Sequence, residues 1–170
     1  MHRLLVTVML VGVGWLLPHP ALAQNPQNPQ NPQNPQNPQN PQNTITLSPP
    51  TQGQLIQPAG VFNQLITSVQ STTVATFSPG VNNRNNTVQV GFPTWASGAS
   101  PDPDGTVRTA TVTFQGGSVN SGEPPVNITV SNANPRTSTL TVSMAVTRPT
   151  PYPAGNYTYQ VVVTVTSVPN

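Results

Sequence analysis

Two stretches of the chain alternate almost without interruption. In Thr139–Thr147 the even positions Leu140, Val142, Met144 and Val146 are apolar and the odd ones small or hydroxylated; in Tyr157–Val165 the odd positions Tyr157, Tyr159, Val161, Val163 and Val165 form the apolar set. A period of two places one face of an extended strand in a core and the other in water, so each stretch predicts a half-buried strand. Weaker forms of the pattern recur at Thr44–Leu47, Leu65–Gln70, Thr72–Phe77, Thr87–Phe92, Thr106–Phe114 and Val126–Val130. Between them stand clusters that favour turns: Ser78-Pro79-Gly80, Asn82-Asn83-Arg84-Asn85-Asn86, Ser100-Pro101-Asp102-Pro103-Asp104-Gly105, Gln115-Gly116-Gly117 and Asn132-Ala133-Asn134-Pro135. No ten-residue window combines helical spacing with helix-forming residues. About seven or eight strands over residues 44–170 predict an all-β fold, a single Ig-like, two-sheet antiparallel sandwich. A domain of that length buries roughly two-thirds of its extended surface, enough to fold on its core alone.

The first 43 residues read differently. Met1-His2-Arg3 is a short basic start, Leu4–Leu17 is apolar almost throughout, and Pro18-His19-Pro20-Ala21-Leu22-Ala23 ends in the small-x-small pattern of a cleavage site. Residues 1–23 are therefore expected to be a signal peptide removed after Ala23. Leu4–Leu17 falls short of the ~20 apolar residues that span a bilayer, and no later run is longer, so no transmembrane span is expected in the mature chain. From Gln24 the unit Gln-Asn-Pro repeats six times, followed by Gln42-Asn43. Proline at every third position fixes φ, removes a donor and biases each preceding Asn towards extended conformations. Residues 24–43 are expected to be an extended or disordered polar spacer; in polyproline-II form it would reach on the order of 60 Å at ~3.1 Å per residue.

Composition then narrows the chemistry. His2 and His19 are the only histidines and both precede Ala23; the remainder has no His, Lys or Cys. Arg84, Arg108, Arg136 and Arg148 face only Asp102, Asp104 and Glu123, a net charge of +1. Four scattered arginines make no phosphate-neutralising cluster, so nucleic acid is not an expected partner. Without cysteine there is neither a disulfide framework nor a thiolate metal site. Hydrolysis needs a positioned base, and three carboxylates in proline-rich turns are a poor supply; no catalytic residue is assigned, Asp102 or Asp104 with Glu123 being the only pair worth weighing for glycoside cleavage.

At Pro153-Ala154-Gly155-Asn156-Tyr157, followed by Val161, Val163 and Val165, the sequence resembles the last strand of bacterial spore coat U-like and fimbrial secreted β-sandwich domains, although it has none of the cysteines many of those carry. The resemblance covers about fifteen residues and implies a secreted, Ig-like fold with a surface-structural role. Read on its own, Tyr157 after Gly155 suits a corner contact in which the phenol hydroxyl bonds backbone.

The remaining candidates are binding groups. Trp95, the only tryptophan after the leader, either plugs the core or serves with Tyr152 as a sugar-stacking platform. Asp102 and Asp104, two apart and followed by Gly105, echo part of a calcium loop, so calcium is the one cofactor weighed, against a plain Asp/Pro turn. Threonines alternate at Thr109, Thr111 and Thr113, at Thr137, Thr139 and Thr141, and at Thr164 and Thr166, either as the ordinary wet face of strands or as a regular hydroxyl array. The leading expectation is a secreted, non-enzymatic structural or adhesive surface protein, periplasmic or extracellular, meeting other envelope or matrix proteins or its own copies through strand edges or loops. The alternative is a small carbohydrate- or calcium-dependent binding module.

Overall fold

The computed structural model describes residues 2–9, 45–77, 84–128 and 136–169. The described chain is all β. In order the strands are β1 (His2–Met9), β2 (Ile45–Leu47), β3 (Gly53–Ile56), β4 (Gln64–Val69), β5 (Ser71–Phe77), β6 (Arg84–Val90), β7 (Thr94–Gly98), β8 (Val107–Phe114), β9 (Gly117–Asn120), β10 (Val126–Asn127), β11 (Arg136–Thr147) and β12 (Tyr157–Pro169). From β2 onward they form two antiparallel sheets, one of seven strands (β9, β8, β11, β5, β2, β4, β3) and one of four (β10, β6, β12, β7), a β-sandwich. The strand β1 lies between the two sheets, parallel to β12 from Arg3↔Thr158 to Met9↔Thr164 and antiparallel to β3 from His2↔Leu55 to Leu4↔Gly53.

The two cleanest alternations are the central strands. Along β11, Leu140, Val142 and Val146 are fully buried and Met144 nearly so, while along β12 Tyr157, Tyr159, Val161, Val163 and Val165 are all at 0 % exposure. Aligned side chains from one strand of each sheet thus make the middle of the core, and β-branched valine suits it because its χ1 is already restricted in the unfolded chain. Around them pack Leu55, Leu65, Phe77, Val88, Val90, Val112 and Phe114.

The edge beside β5 shows how proline limits a strand. The strand β2 stops at Leu47 because Pro49 and Pro50 have no N–H to continue the ladder. Hydroxyl groups take over: the Ser48 and Thr51 amides still donate to the carbonyls of Val74 and Thr72, the Ser48 Oγ accepts from the Val74 amide, and the Thr51 Oγ1 accepts from that of Thr72, both at 2.8 Å. Similar substitution occurs where the chain bends between β4 and β5. Strand β11 pairs with β4 as far as Ala145↔Ile66 and with β5 from Val142↔Ser71, and in the gap Thr67 Oγ1 accepts from the Met144 amide at 2.7 Å and donates to its carbonyl at 3.1 Å.

Three features differ from the sequence expectation. The short strands β3, β7 and β9 carry too few alternating residues to announce themselves, and β7 exists because Thr94–Gly98 continues the edge that β6 makes along β12. Val126–Val130 yields only Val126–Asn127 as strand, its last two residues lying outside the described set. Part of the expected leader, His2–Met9, is paired in the fold, whereas residues 10–23 and the whole spacer 24–43 lie outside the described residues. Among the described residues no helix is long and apolar enough to cross a membrane.

Candidate functional site

Three loops meet at one end of the sandwich, residues 57–63 between β3 and β4, 99–106 between β7 and β8, and 148–156 between β11 and β12. Asp102, Arg108 and Arg148 gather beneath them. The turn Pro103–Thr106 closes with the Thr106 amide and hydroxyl both donating to the Pro103 carbonyl, and Gly105 supplies the positive φ of +81° that the turn needs. That geometry turns Asp102 inward, where its side chain is 1 % exposed. Its Oδ2 accepts from Arg108 Nε at 2.8 Å, and its Oδ1 accepts from the Tyr159 hydroxyl at 2.6 Å with Arg148 Nε 3.9 Å away.

Arg148 is the second buried charge. Its Nη2 donates to the Pro101 carbonyl at 2.8 Å and to Ser100 Oγ at 3.1 Å, and its guanidinium lies 4.7 Å from the centre of the Tyr152 ring and 5.8 Å from that of Tyr157. Those two rings meet edge to face at 4.9 Å. A buried cation needs such compensation, a carboxylate on one side and π-faces on the other, because an unpaired one costs several kcal/mol (roughly 3–5 when a partner is removed). Asn63 ties the far loop in: its Nδ2 donates to the Arg148 carbonyl, and its own carbonyl accepts from the Arg148 amide.

The tyrosines complete the cluster. Tyr157 donates its hydroxyl to the Pro153 carbonyl at 3.0 Å, the corner contact expected from its sequence position. Gly155, at φ +151°, allows that corner; a Cβ there would stand 2.5 Å from the Cβ of Ala99. Tyr152 and Tyr159 share a hydroxyl contact of 3.2 Å. Burial pushes the Tyr152 phenol up to about 12, and burial together with its bond to Asp102 drives Tyr159 higher still. Both therefore remain neutral donors at ordinary pH.

This arrangement redistributes the residues singled out from the sequence. Tyr152 is buried, and Trp95 is half-buried against the core in register with Tyr159, its indole Nε1 enclosed without a hydrogen-bond partner. The two aromatics thus face the interior of the sandwich and not a common open platform. Asp102 and Asp104 part company, the first inside with Arg108 and Tyr159, the second exposed. Among the described residues no three His, Cys, Asp or Glu side chains converge as a metal would need. Glu123 stands apart from both, accepting from the Asn120 amide at 2.7 Å and from Asn120 Nδ2 at 3.0 Å; those bonds hold its carboxyl below the usual range. The cluster partners Arg148 and Tyr159 were missed in the sequence, because nothing local marks a residue that meets Asp102 from 46 or 57 positions away.

Part of the threonine alternation comes together, while Thr164 and Thr166 lie on β12 in the other sheet. On the outer face of the seven-stranded sheet Ser118, Thr113, Thr141 and Thr72 stand in one row across β9, β8, β11 and β5, and Thr72 continues it to Thr51 through a 3.0 Å hydroxyl contact. The next row carries Asn120, Thr111 and Ser143, with Thr111 donating to Asn120 Oδ1 at 2.8 Å. Where β4 leaves β11, the face sinks into a shallow cavity of about 230 Å³ lined by Ile66, Thr67, Thr109, Thr111, Ser143, Met144 and Ala145.

Comparison with protein-family models, with curated proteins and with solved structures finds no match to this chain.

Proposed function

We propose that this chain is a secreted, non-enzymatic structural or adhesive surface protein, a β-sandwich displayed on a polar spacer that works by contact. One observation carries the reading. Two of the three acids are engaged in holding loops, Asp102 with two arginines and a phenol and Glu123 within its own turn, and Asp104 stands apart from both, while the outer face of the seven-stranded sheet presents rows of hydroxyl and amide groups. Neutral, strongly hydrated side chains in register offer many weak hydrogen bonds to another polar surface and little affinity for any one small molecule. The leader and the spacer supply export and reach, and the likeness of Pro153–Tyr157 with Val161, Val163 and Val165 to spore coat U-like and fimbrial domains points the same way.

The carbohydrate- or calcium-dependent module draws less support, since it relied on Trp95 with Tyr152 and on Asp102 with Asp104, which the fold employs separately. Two measurements test the preferred reading. Fractionation of producing cells with N-terminal sequencing should find the chain beyond the inner membrane and starting at Gln24. Surface retention should then fall at least tenfold for the triple variant Thr111→Lys, Thr113→Lys, Ser143→Lys while the variant stays folded, with melting lowered by no more than roughly 8 °C. Equal retention of variant and parent would sink the contact face.

A further inference from the structure

We infer that the segment His2–Met9 is an intramolecular plug: in the unprocessed chain it closes the sandwich as a strand, and removal of the leader during export, before the domain folds, leaves the slot open. The observation is the position of β1. Without it the four-stranded sheet ends at β12 and the seven-stranded sheet ends at β3, because β6 and β7 both lie along the same edge of β12 and β4 covers only one edge of β3. Seven consecutive residues of β1 pair with Thr158–Thr164 and three pair with Gly53–Leu55, so this one strand satisfies both free edges. Their backbone N–H and C=O groups have no other strand beside them among the described residues.

Chemistry fits the segment to the slot. Arg3–Met9 is rich in Leu and Val, and it enters in register with the valine-rich Thr158–Thr164, the most deeply buried strand of the domain. Leu and Val suit a strand paired with β12, and they are also the composition of a leader's apolar region, so one segment serves both uses. The two uses exclude each other in time. A chain that keeps residues 1–23 has a closed sheet, whereas a chain that folds after its leader is removed leaves the edges of β12 and β3 that face β1 open, the feature that templates pairing with another strand. Processing thereby switches the edge from closed to open. This inference rests on the export reading only for the cleavage step; the plug itself does not depend on it.

The test uses the full chain carrying Ala21→Arg and Ala23→Arg to block processing, with a specific protease site placed inside residues 24–43. After cutting, the leader fragment should co-elute with the domain in size exclusion and come away only in denaturant. Freed of the fragment, the domain should melt at least about 10 °C lower, its Thr158–Thr164 amides should exchange faster, and a synthetic peptide of residues 2–9 should reverse both changes where a scrambled one does not. A Val6→Pro chain, which removes a backbone donor in the middle of β1, should release the fragment on cutting, and Val6→Thr should retain it. Immediate elution of the wild-type fragment apart from the domain, with unchanged melting and unchanged exchange at Thr158–Thr164, overturns the plug. Retention of the fragment together with a natural product that still begins at Met1 keeps the strand and overturns the switch, so the two failures are distinguishable.

Discussion

At the scale of single residues, the end of the sandwich depends on Asp102. Its carboxylate is the only acid set against two arginines, one of them, Arg148, almost fully enclosed. Asp102→Ala should therefore cost about 3–5 kcal/mol in urea unfolding, since it leaves a buried cation without its counter-charge. Tyr159→Phe removes one donor from the same carboxylate and should cost less, about 1–3 kcal/mol. The phenols also set a pH limit. Their folded pKa values lie above the unfolded value near 10, so the folded state holds its protons while the unfolded state releases them; stability is complete below about pH 10 and declines as the pH rises towards 12 and beyond. Circular dichroism between pH 8 and 12 should show unfolding together with tyrosinate absorbance, and Tyr159→Phe should weaken the dependence. Gly155→Ala should destabilise more than an average surface substitution, through both its positive φ and the approach of Ala99.

At the scale of elements, hydroxyl side chains stand in for backbone wherever the ladder is interrupted. Ser48 and Thr51 do so beside two prolines, and Thr67 does so where β4 bends into β5. Thr67→Val keeps the shape and removes the bridge, leaving the Met144 amide and carbonyl without their partner at a cost of about 1–3 kcal/mol by thermal or urea unfolding. Thr111→Val, on the open face with its hydroxyl bonded to Asn120, should cost under about 1 kcal/mol. The contrast separates threonines that build the sheet from those that clothe it, a distinction alternation alone does not make because both sit at the same parity.

At the scale of the whole molecule, the sandwich holds its buried charges, Asp102 and Arg148, at one end and shows neutral polar groups on the outer face of its larger sheet. Calcium at millimolar concentration should leave the melting temperature within about 1 °C, because a ligand stabilises only by binding the folded state and the Asp102 oxygens already have partners. A shift of several degrees, lost on Asp104→Asn, would restore the calcium reading. Deleting residues 24–43 should leave melting unchanged while reducing surface reach, measured by antibody access to the domain on intact cells.

The sequence alone determined the all-β class, the two strands that became the centre of the core, the turns at Gly105 and Gly116 and the Tyr157 corner, since each follows from local periodicity or from a residue's own φ and donor inventory. Only the tertiary structure decided which polar groups meet. Asp102 reads as a surface turn acid until a fold brings Arg148 and Tyr159 over it, and Trp95 reads either as a core plug or as half of a platform with Tyr152 until the fold packs both against the core. The same holds for His2–Met9, whose apolar composition fits a leader and a sheet strand equally well. Periodicity reports how a segment can be buried; the long-range pairing of β12 with β3 through that segment decides against what.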